Sequence, residues 1–129
     1  MIKALKTLAV GLPLAAATLV AVPGTASADL NQCPRGSFCV WRGDNFQGGY
    51  VRWTQGTNDS SWWDNGMHDD AESLFNNVPS SSSATVRDNV MVYKDVNYGN
   101  FGICVRPGET YDAGMNDNDY DSHFWVPGC

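Results

Sequence analysis

Two short acidic segments, residues 68–73 and 117–122, carry the side chains with the clearest potential for chemistry. They read His-Asp-Asp-Ala-Glu-Ser and Asp-Asn-Asp-Tyr-Asp-Ser, and the second follows the first at an offset of 49 residues. Carboxylate and amide oxygens are the ligands that calcium, a hard cation, prefers. The two segments therefore predict calcium as a cofactor. The alternative is that they are solvated turns held by local side-chain hydrogen bonds.

Catalytic chemistry has little support in the sequence. The chain contains two histidines, His68 and His123, and two glutamates, Glu72 and Glu109. It contains neither a His-Glu-x-x-His sequence nor a nucleophile-elbow sequence. Nothing in the sequence marks a carboxylate as a buried acid with a raised pKa. We therefore expect that the protein is not an enzyme.

Each acidic segment follows a predicted β-hairpin. In residues 39–53, strand-forming residues flank a centre rich in Gly, Asp and Asn, residues that tolerate the positive φ angles of a reversal. A pair of aromatic residues separated by four others occurs in both hairpins, as Trp41 and Phe46 and then as Tyr93 and Tyr98, at an offset of 52 residues. The chain is therefore predicted to contain two copies of one structural unit.

No segment has an apolar period typical of a helix, so the fold is predicted to be all-β. Two copies of a hairpin, an acidic loop and a further strand describe two Greek-key motifs that pack as a sandwich, at about residues 33–79 and 84–129. After the first hairpin, a short strand or turn is expected at residues 71–75 and strands at residues 85–93, 101–106 and 123–126, with residues 80–83 as a flexible connector.

The first 28 residues are predicted to be a signal peptide. Lys3 and Lys6 form a basic start, residues 8–22 are almost wholly apolar, and Ala26-Ser27-Ala28 provides the small residues that precede a cleavage site. A membrane anchor is the competing interpretation. Cleavage after Ala28 would leave one domain, residues 29–129, and we expect a secreted, extracellular protein.

The charge of the predicted mature chain excludes some classes of partner. All 14 acidic residues but only six of the eight basic residues follow residue 28, so its net charge is −8. Nucleic acids and anionic membranes are bound by clustered Lys and Arg. We therefore expect neither nucleic acid nor, after processing, a membrane as partner.

The chain has four cysteines, and in an exported protein an even number predicts disulfides. Three pairings are possible. We favour Cys33 with Cys39, which closes a short loop containing Pro34 and Gly36, and Cys104 with Cys129, which ties down the C-terminal residues. A zinc site is the alternative, although the sequence contains no Cys-x2-Cys pair.

The aromatic residues have two possible roles. Trp53, Trp62, Trp63 and Trp125, with Tyr50 and Tyr111, can either fill the core or form a face that contacts a protein or a glycan. We expect most of them in the core. Residues 54–66 are predicted to be a loop that folds Trp62 and Trp63 onto the sheet, but neighbours in an extended segment point to opposite sides, so one of the two indoles is expected outside.

These hairpins and acidic segments resemble the βγ-crystallin fold. Trp41, Phe46 and Gly48 match its aromatic-x4-aromatic-x-Gly hairpin in the first copy. In the second copy Tyr93 and Tyr98 match, but Asn100 replaces the glycine, a change that is tolerated because Asn adopts positive φ more readily than most residues. The resemblance covers residues 33–125.

The resemblance also implies which residues would hold calcium and which would not. In the crystallin-like proteins that bind calcium, both acidic loops supply ligands, which here would be Asp69, Glu72, Asp117, Asn118 and Asp121. His68 replaces the first Asn or Asp of the family pattern, and Glu72 and Asp121 replace a Ser or Thr. Ser73 and Ser122 are expected to be structural, with each hydroxyl bonded back to its folded hairpin.

The sequence Cys33-Pro34-Arg35-Gly36-Ser37-Phe38-Cys39 resembles the start of a family of secreted microbial metalloproteinase inhibitors on a βγ-crystallin-like scaffold. This resemblance implies a monomeric inhibitor of an extracellular metalloprotease that blocks the cleft with a rigid exposed loop. Residues 54–65 and 78–89 are candidate loops, and the sequence does not choose between them. The alternatives are a calcium-binding module without a protease target and a secreted antimicrobial or toxin-like domain.

Overall fold

A computed structural model describes residue 11 and residues 29–112 and 120–129. Within these residues the protein contains strands and short 3-10 turns but no α-helix, which confirms the all-β prediction. The seven strands are β1 (Ser37–Gly43), β2 (Gln47–Thr54), β3 (Ser73–Asn77), β4 (Asn89–Tyr93), β5 (Phe101–Val105), β6 (Thr110–Asp112) and β7 (Ser122–Val126). No helix in this part of the chain has the length and hydropathy needed to span a bilayer.

The strands form two sheets in which every neighbouring pair is antiparallel. Sheet A has the strand order β2-β1-β3-β6, and sheet B has the order β5-β4-β7. In both sheets the last strand of a motif returns to lie beside its first strand, which is the Greek-key arrangement. The predicted pair of Greek-key motifs is therefore confirmed.

Each motif contributes a short segment to the sheet of the other motif. Strand β6 belongs to the second motif by sequence but pairs with β3, aligning Leu74 with Tyr111. The corresponding segment of the first motif makes a single bridge, in which Asp59 pairs with His123 of β7. This exchange ties the two motifs together through backbone hydrogen bonds. It was not predicted, because β6 is short and its partner lies in the other copy.

The reversal between β1 and β2 is a folded hairpin that recurs between β4 and β5. Asn45 and Phe46 have positive φ angles of 55° and 58°, and their counterparts Asn97 and Tyr98 have φ angles of 57° and 60°. Asn100, which occupies the glycine position of the second copy, has φ 50°. This departure from the sequence pattern is thus accommodated in the left-handed region that Asn enters most readily.

Ser73 and Ser122 hold these reversals closed. The Ser73 hydroxyl accepts a hydrogen bond from the Phe46 amide (3.0 Å) and donates one to the Gly43 carbonyl (2.7 Å). In the second copy the Ser122 hydroxyl accepts from the Tyr98 amide (3.1 Å) and donates to the Asp95 carbonyl (2.6 Å). The predicted structural role of both serines is confirmed.

Replacing Ser73 with alanine is expected to lower the free energy of unfolding by about 1–3 kcal/mol, because the buried Phe46 amide would lose its acceptor. Ser80→Ala, at an exposed position of the connector, serves as control and should change stability by less than about 0.5 kcal/mol. Urea unfolding of both variants measures the difference. Equal stabilities would show that Ser73 does not hold the hairpin.

The core lies between the two sheets and is strongly aromatic. Trp62 and Trp125 are fully buried there, and Trp53 is nearly so. Phe38 packs against all three indoles, with ring centroids 5.9–6.3 Å apart. Most of the large aromatic residues are therefore structural, as expected.

Two strands begin later than the sequence predicts. Strand β3 covers Ser73–Asn77 instead of residues 71–75, and β4 begins at Asn89 instead of residue 85. The polar side chain of Asn76 is the reason that β3 extends further. It is buried, and its Nδ2 donates to the carbonyls of Asp88 (2.8 Å) and Val105 (3.0 Å), so an amide fills a position where an apolar residue is expected.

Candidate functional site

Two disulfides fix the ends of the described domain. Cys33 bonds to Cys39 with a Cα–Cα distance of 5.9 Å, and Cys104 bonds to Cys129 with a distance of 5.7 Å. The favoured pairing is confirmed. The first disulfide holds the N-terminal turn against β1, and the second ties the C-terminal residues to β5.

The two acidic segments approach each other from opposite motifs. The Asp69 backbone amide donates a hydrogen bond to Oδ1 of Asp121 (3.3 Å). Asp69 is exposed and Asp121 is buried. Burial raises the pKa of Asp121, hydrogen bonds from Trp63 and the Asp69 amide lower it, and the nearby charge of Asp69 adds to the increase. The structure thus brings together one predicted ligand from each copy.

The other predicted calcium ligands are not part of this pair. Asp117 and Asn118 lie outside the described residues. Glu72 is half-buried, and its backbone amide donates to the Trp41 carbonyl (3.0 Å). Within residues 29–112 and 120–129, no three His, Cys, Asp or Glu side chains gather closely enough to hold a metal ion. Calcium takes six to eight oxygens, which include carbonyls and waters as well as carboxylates, so calcium binding stays a prediction.

His123 has the most unusual environment of any titratable group in the described chain. It is fully buried, its Nδ1 accepts a hydrogen bond from Trp62 Nε1 (2.9 Å), and its Nε2 donates to the Thr57 carbonyl (2.8 Å). Burial lowers the pKa of His123 to about 4, although the Thr57 hydrogen bond and the charge of Asp59 oppose the decrease. Both ring nitrogens are engaged inside the core, so this histidine is structural.

The first candidate loop, residues 54–65, directs its polar groups inward. The Thr57 carbonyl also accepts from Trp125 Nε1 (2.9 Å), and Asn58 Oδ1 accepts from the Trp125 amide (2.8 Å). Asp59 Oδ2 accepts from Trp53 Nε1 (2.9 Å). This loop therefore packs against the core and closes one side of it. We call it the exchange loop because it contains the bridge to β7.

Trp62 and Trp63 lie on opposite sides of the exchange loop, so one indole is outside as expected, but the cause is a 3-10 turn and not the alternation of an extended segment. Trp62 is fully buried, whereas Trp63 is 49% exposed. The Trp63 ring contacts the ring of His68, with a distance of 3.7 Å between the ring centroids. The expectation that both indoles fold onto the sheet was wrong for Trp63. A short 3-10 turn begins at Trp62 and places the next residue on the outside.

The second candidate loop, residues 78–89, connects the two motifs and projects outward; we call it the linker loop. Residues 82–87 are all exposed, and Val86 is an apolar side chain with 36% exposure. The loop ends on two buried residues, Val78 and Asp88. Its tip is a turn in which the Val86 amide donates to the Ser83 carbonyl (3.2 Å). A protruding apolar residue is thus presented between two fixed ends.

Asp88 fixes the conformation of the linker loop. Its Oδ2 accepts from the Ser81 amide across the loop (2.8 Å), and its Oδ1 accepts from Asn89 Nδ2 (2.7 Å). Its carbonyl is one of the two acceptors of the buried Asn76 side chain. Asp88 was not predicted as a functional residue, since no motif distinguishes it from the other aspartates and it falls within residues 85–93, which were predicted as a strand.

The surface formed by the described residues contains no pocket. The serine hydroxyls of the motif are engaged in the hairpins, and His123 is inaccessible. The features left on the outside are a protruding loop and exposed aromatic rings. Exposed apolar and aromatic side chains are typical of surfaces that contact another macromolecule.

Comparison with solved structures identifies the class of fold as a βγ-crystallin domain. A structure from work on the evolution of the eye-lens βγ-crystallin fold matches 73% of this chain and 89% of its own length, with TM-score 0.57 and 20% identity. A βγ-crystallin from Ciona intestinalis matches 70% of this chain and 99% of its own (TM-score 0.53, 18% identity). An archaeal βγ-crystallin matches 72% of this chain and 100% of its own length (TM-score 0.52, 23% identity). At these identities the similarity shows the fold alone.

The family itself is established by sequence. The model of peptidase inhibitor family I36 matches residues 26–105, which is more than half of the chain, and the protein belongs to this family. No curated protein is significantly similar to it. The chain is therefore a member of a peptidase-inhibitor family on a βγ-crystallin fold, and it is not an enzyme. The match contains the first motif, the linker loop and the hairpin of the second motif.

Proposed function

We propose that the protein inhibits an extracellular metalloprotease by inserting the linker loop into the active-site cleft of the enzyme. The observation that carries this proposal is the exposed Val86 on a loop whose two ends are buried. Membership of an inhibitor family supports a protease as partner. The Cys33-to-Cys39 segment, which resembles secreted microbial metalloproteinase inhibitors, supports the metalloprotease class.

Preorganisation is the physical basis of the proposed inhibition. A flexible loop loses conformational entropy when a cleft orders it, and a loop that is already fixed avoids most of that loss. The Asp88 hydrogen bonds to Ser81 and Asn89 hold the linker loop in one shape before binding. The bond between the Ser81 amide and Asp88 spans the exposed part of the loop, so it would keep the two ends together if the enzyme attacked the loop, which favours an intact inhibitor over a cleaved substrate.

The exchange loop is less suited to this role. Thr57, Asn58 and Asp59 bond to core residues, so the loop could not be displaced by an enzyme without disturbing the core. Trp63 is the one large side chain that it exposes. A single exposed indole can still be an important contact in an interface, and it is therefore the natural comparison for Val86.

Val86→Asp is expected to raise the inhibition constant for a thermolysin-like metalloprotease by about 30-fold or more. An interface residue that dominates binding contributes about 2 kcal/mol or more, and a carboxylate in an apolar pocket would cost more than the lost contact. Inhibition titrations of the wild type and the variant measure the change.

Trp63→Ala is the matched control and should leave the inhibition constant within about twofold of the wild type, since surface changes outside an interface have small effects. A large loss of inhibition in Trp63→Ala, with none in Val86→Asp, would assign the contact to the exchange loop instead. Circular dichroism of both variants confirms that the fold is retained.

We also propose that the protein is exported and acts outside the cell as a monomer. Two disulfides support an oxidising compartment. The basic, apolar and small-residue pattern of the first 28 residues supports a signal peptide. Mass spectrometry of the secreted protein tests the expected cleavage after Ala28. A protein that retains residues 1–28 in the membrane fraction would contradict it.

Calcium binding at the acidic segments stays a separate prediction. It is supported by the approach of Asp69 to Asp121, one from each motif, and by repulsion between them that a cation would relieve. Calcium at about 100 times its dissociation constant should stabilise the native state by about 2.7 kcal/mol and raise the melting temperature by about 10 °C.

Asp121→Asn, which removes one carboxylate from the pair, should abolish that increase. Magnesium at equal ionic strength controls for salt effects. A melting temperature that does not change in about 10 mM calcium, above the range typical of extracellular modules, would contradict calcium binding without bearing on protease inhibition.

A further inference from the structure

The outer face of sheet B contains four aromatic rings in one connected group: Tyr93, Tyr98, Phe101 and Phe124, which we call the aromatic face. Tyr93 contacts Tyr98 and Phe101 with centroid distances of 5.8 and 6.1 Å, and Tyr98 contacts Phe124 at 5.5 Å. Phe101 is 55% exposed and Tyr98 is 36% exposed. Water thus reaches at least two of the four connected rings, and exposed apolar patches mark interaction sites.

The internal repeat shows that the corresponding face of sheet A is covered. Trp41 and Phe46, the counterparts of Tyr93 and Tyr98, are buried together with Cys33 and Cys39, and Leu30 packs against them. The covering segment is the turn Leu30–Gln32. Trp41 Nε1 donates to Gln32 Oε1 (3.3 Å), and the Asp29 amide donates to the Phe46 carbonyl (3.3 Å).

The covered face shows which kind of molecule fits a face built on this motif. A short peptide segment lies on it, contributing one aliphatic side chain to the rings and polar groups to the edge. No segment described in residues 29–112 and 120–129 gives Phe101 an equivalent cover. The second copy of the motif therefore has a face on which a peptide segment would fit. The residues described by the structure do not supply that segment.

The aromatic face is continuous with the linker loop. The Arg87 guanidinium lies over the ring of Phe124, with Cζ 5.7 Å from the ring centroid. Arg87 directly follows Val86. If a partner protein received Val86 in its cleft, the rim of that cleft would therefore lie next to the Phe124 ring. The exposed part of the linker loop has six residues, whereas a stable protein interface has about 20–30 residues a side. The loop alone is therefore smaller than one side of a standard protein interface.

We propose that the aromatic face is a second contact surface for the same protease, and that it receives an apolar peptide segment from the rim of the cleft. The inference rests on the proposed function of the linker loop. The ring geometry favours a peptide over a polysaccharide, because neighbouring rings meet at interplanar angles of 67–84° and offer no coplanar platform for sugar rings. Aliphatic side chains fit between rings at these angles.

The double variant Tyr98→Ser/Phe101→Ser tests the proposal. It should raise the inhibition constant by about 10-fold or more, since two exposed aromatic contacts would be lost. Tyr50→Ser is the matched control, because Tyr50 has the same 36% exposure as Tyr98 but lies on sheet A; it should change inhibition by less than about twofold. Melting curves of both proteins confirm that they fold.

The outcomes separate this proposal from the proposed function. If the wild type inhibits the metalloprotease and the double variant inhibits equally well, the aromatic face is not a contact surface, although the loop proposal stands. If the wild type does not inhibit, the proposed function fails first. If the double variant inhibits normally but no longer forms dimers in sedimentation, the face binds a second copy of the chain. If it inhibits normally but is no longer retained on an insoluble polysaccharide, the face binds a glycan.

Discussion

Trp62→Ala is expected to lower the free energy of unfolding by about 4 kcal/mol, which is a large part of the 5–15 kcal/mol typical of a small domain. The residue is fully buried and stacks on Trp53 at a centroid distance of 5.3 Å. Its indole N–H is the partner of His123 Nδ1, so the substitution leaves both a cavity and an acceptor without its donor.

This tryptophan also joins the two motifs. Its backbone amide donates to the Asp121 carbonyl (2.8 Å), and its side chain reaches His123 of β7. Trp63→Ala is the control at the neighbouring, half-exposed position and should cost only about 1–2 kcal/mol, because it removes a hydrogen bond to the Asp121 carboxylate but no buried ring. Urea denaturation of both variants measures the difference. Similar losses for the two would show that Trp62 is not central to the core.

Stability is expected to fall by about 3 kcal/mol as pH is lowered from 6.5 to 4. The pKa of His123 is lowered from 6.5 to about 4, so between these values the unfolded chain binds a proton that the folded chain does not. The contribution is fully present above pH 6.5 and is lost as pH falls through this range. Burial of the ring is the cause of the low pKa, and protonation of Nδ1 would in addition place a hydrogen against the Trp62 N–H.

Asp121 acts in the opposite direction near the acidic end of this range. Burial raises its pKa above 3.8, so the folded state binds its proton first and gains stability as pH falls through the raised value. The net profile should therefore decrease below pH 6.5 and flatten towards pH 4. Denaturant unfolding at several pH values measures it.

An NMR titration of the His123 ring provides an independent test of the same account. The ring signals should not move between pH 8 and pH 5. A midpoint near pH 6.5, or a free energy of unfolding that does not depend on pH between 6.5 and 4, would contradict the buried, neutral histidine.

The repeated hairpins are predictable from sequence because their requirements are local. Asn45 and Asn97 tolerate positive φ, and the aromatic residue that follows each of them recurs at the same spacing. Ser73 and Ser122 could be interpreted for the same reason, since each bonds to one hairpin at a fixed position in the motif. The disulfide pairing is favoured by the short loop between Cys33 and Cys39.

The exchange between motifs is not predictable in the same way. Strand β6 has three residues, and the segment that mirrors it makes one bridge, at Asp59. Neither carries an alternating pattern long enough to indicate a strand. The role of His123 is hidden for a related reason, because its hydrogen-bond partners Thr57 and Trp62 lie more than 60 residues away in the chain.

The candidate contact surface also depends on long-range packing. Val86 and Arg87 lie in residues 85–93, which the sequence predicts as a strand, but they belong to a loop that ends on the buried carboxylate of Asp88. The aromatic face is exposed because the N-terminal turn covers sheet A and not sheet B. The sequence shows that the two copies carry equivalent aromatic residues. Whether these residues are buried or exposed depends on which segment packs next to each copy.

The most direct test of the account is a titration of a thermolysin-like metalloprotease with the purified protein, followed by gel electrophoresis of the inhibitor. We expect residual activity to fall to zero near equimolar inhibitor while the chain stays intact, with a subtilisin-like serine protease unaffected under the same conditions. Full metalloprotease activity at large molar excess, or rapid digestion of the chain, would contradict the proposed function.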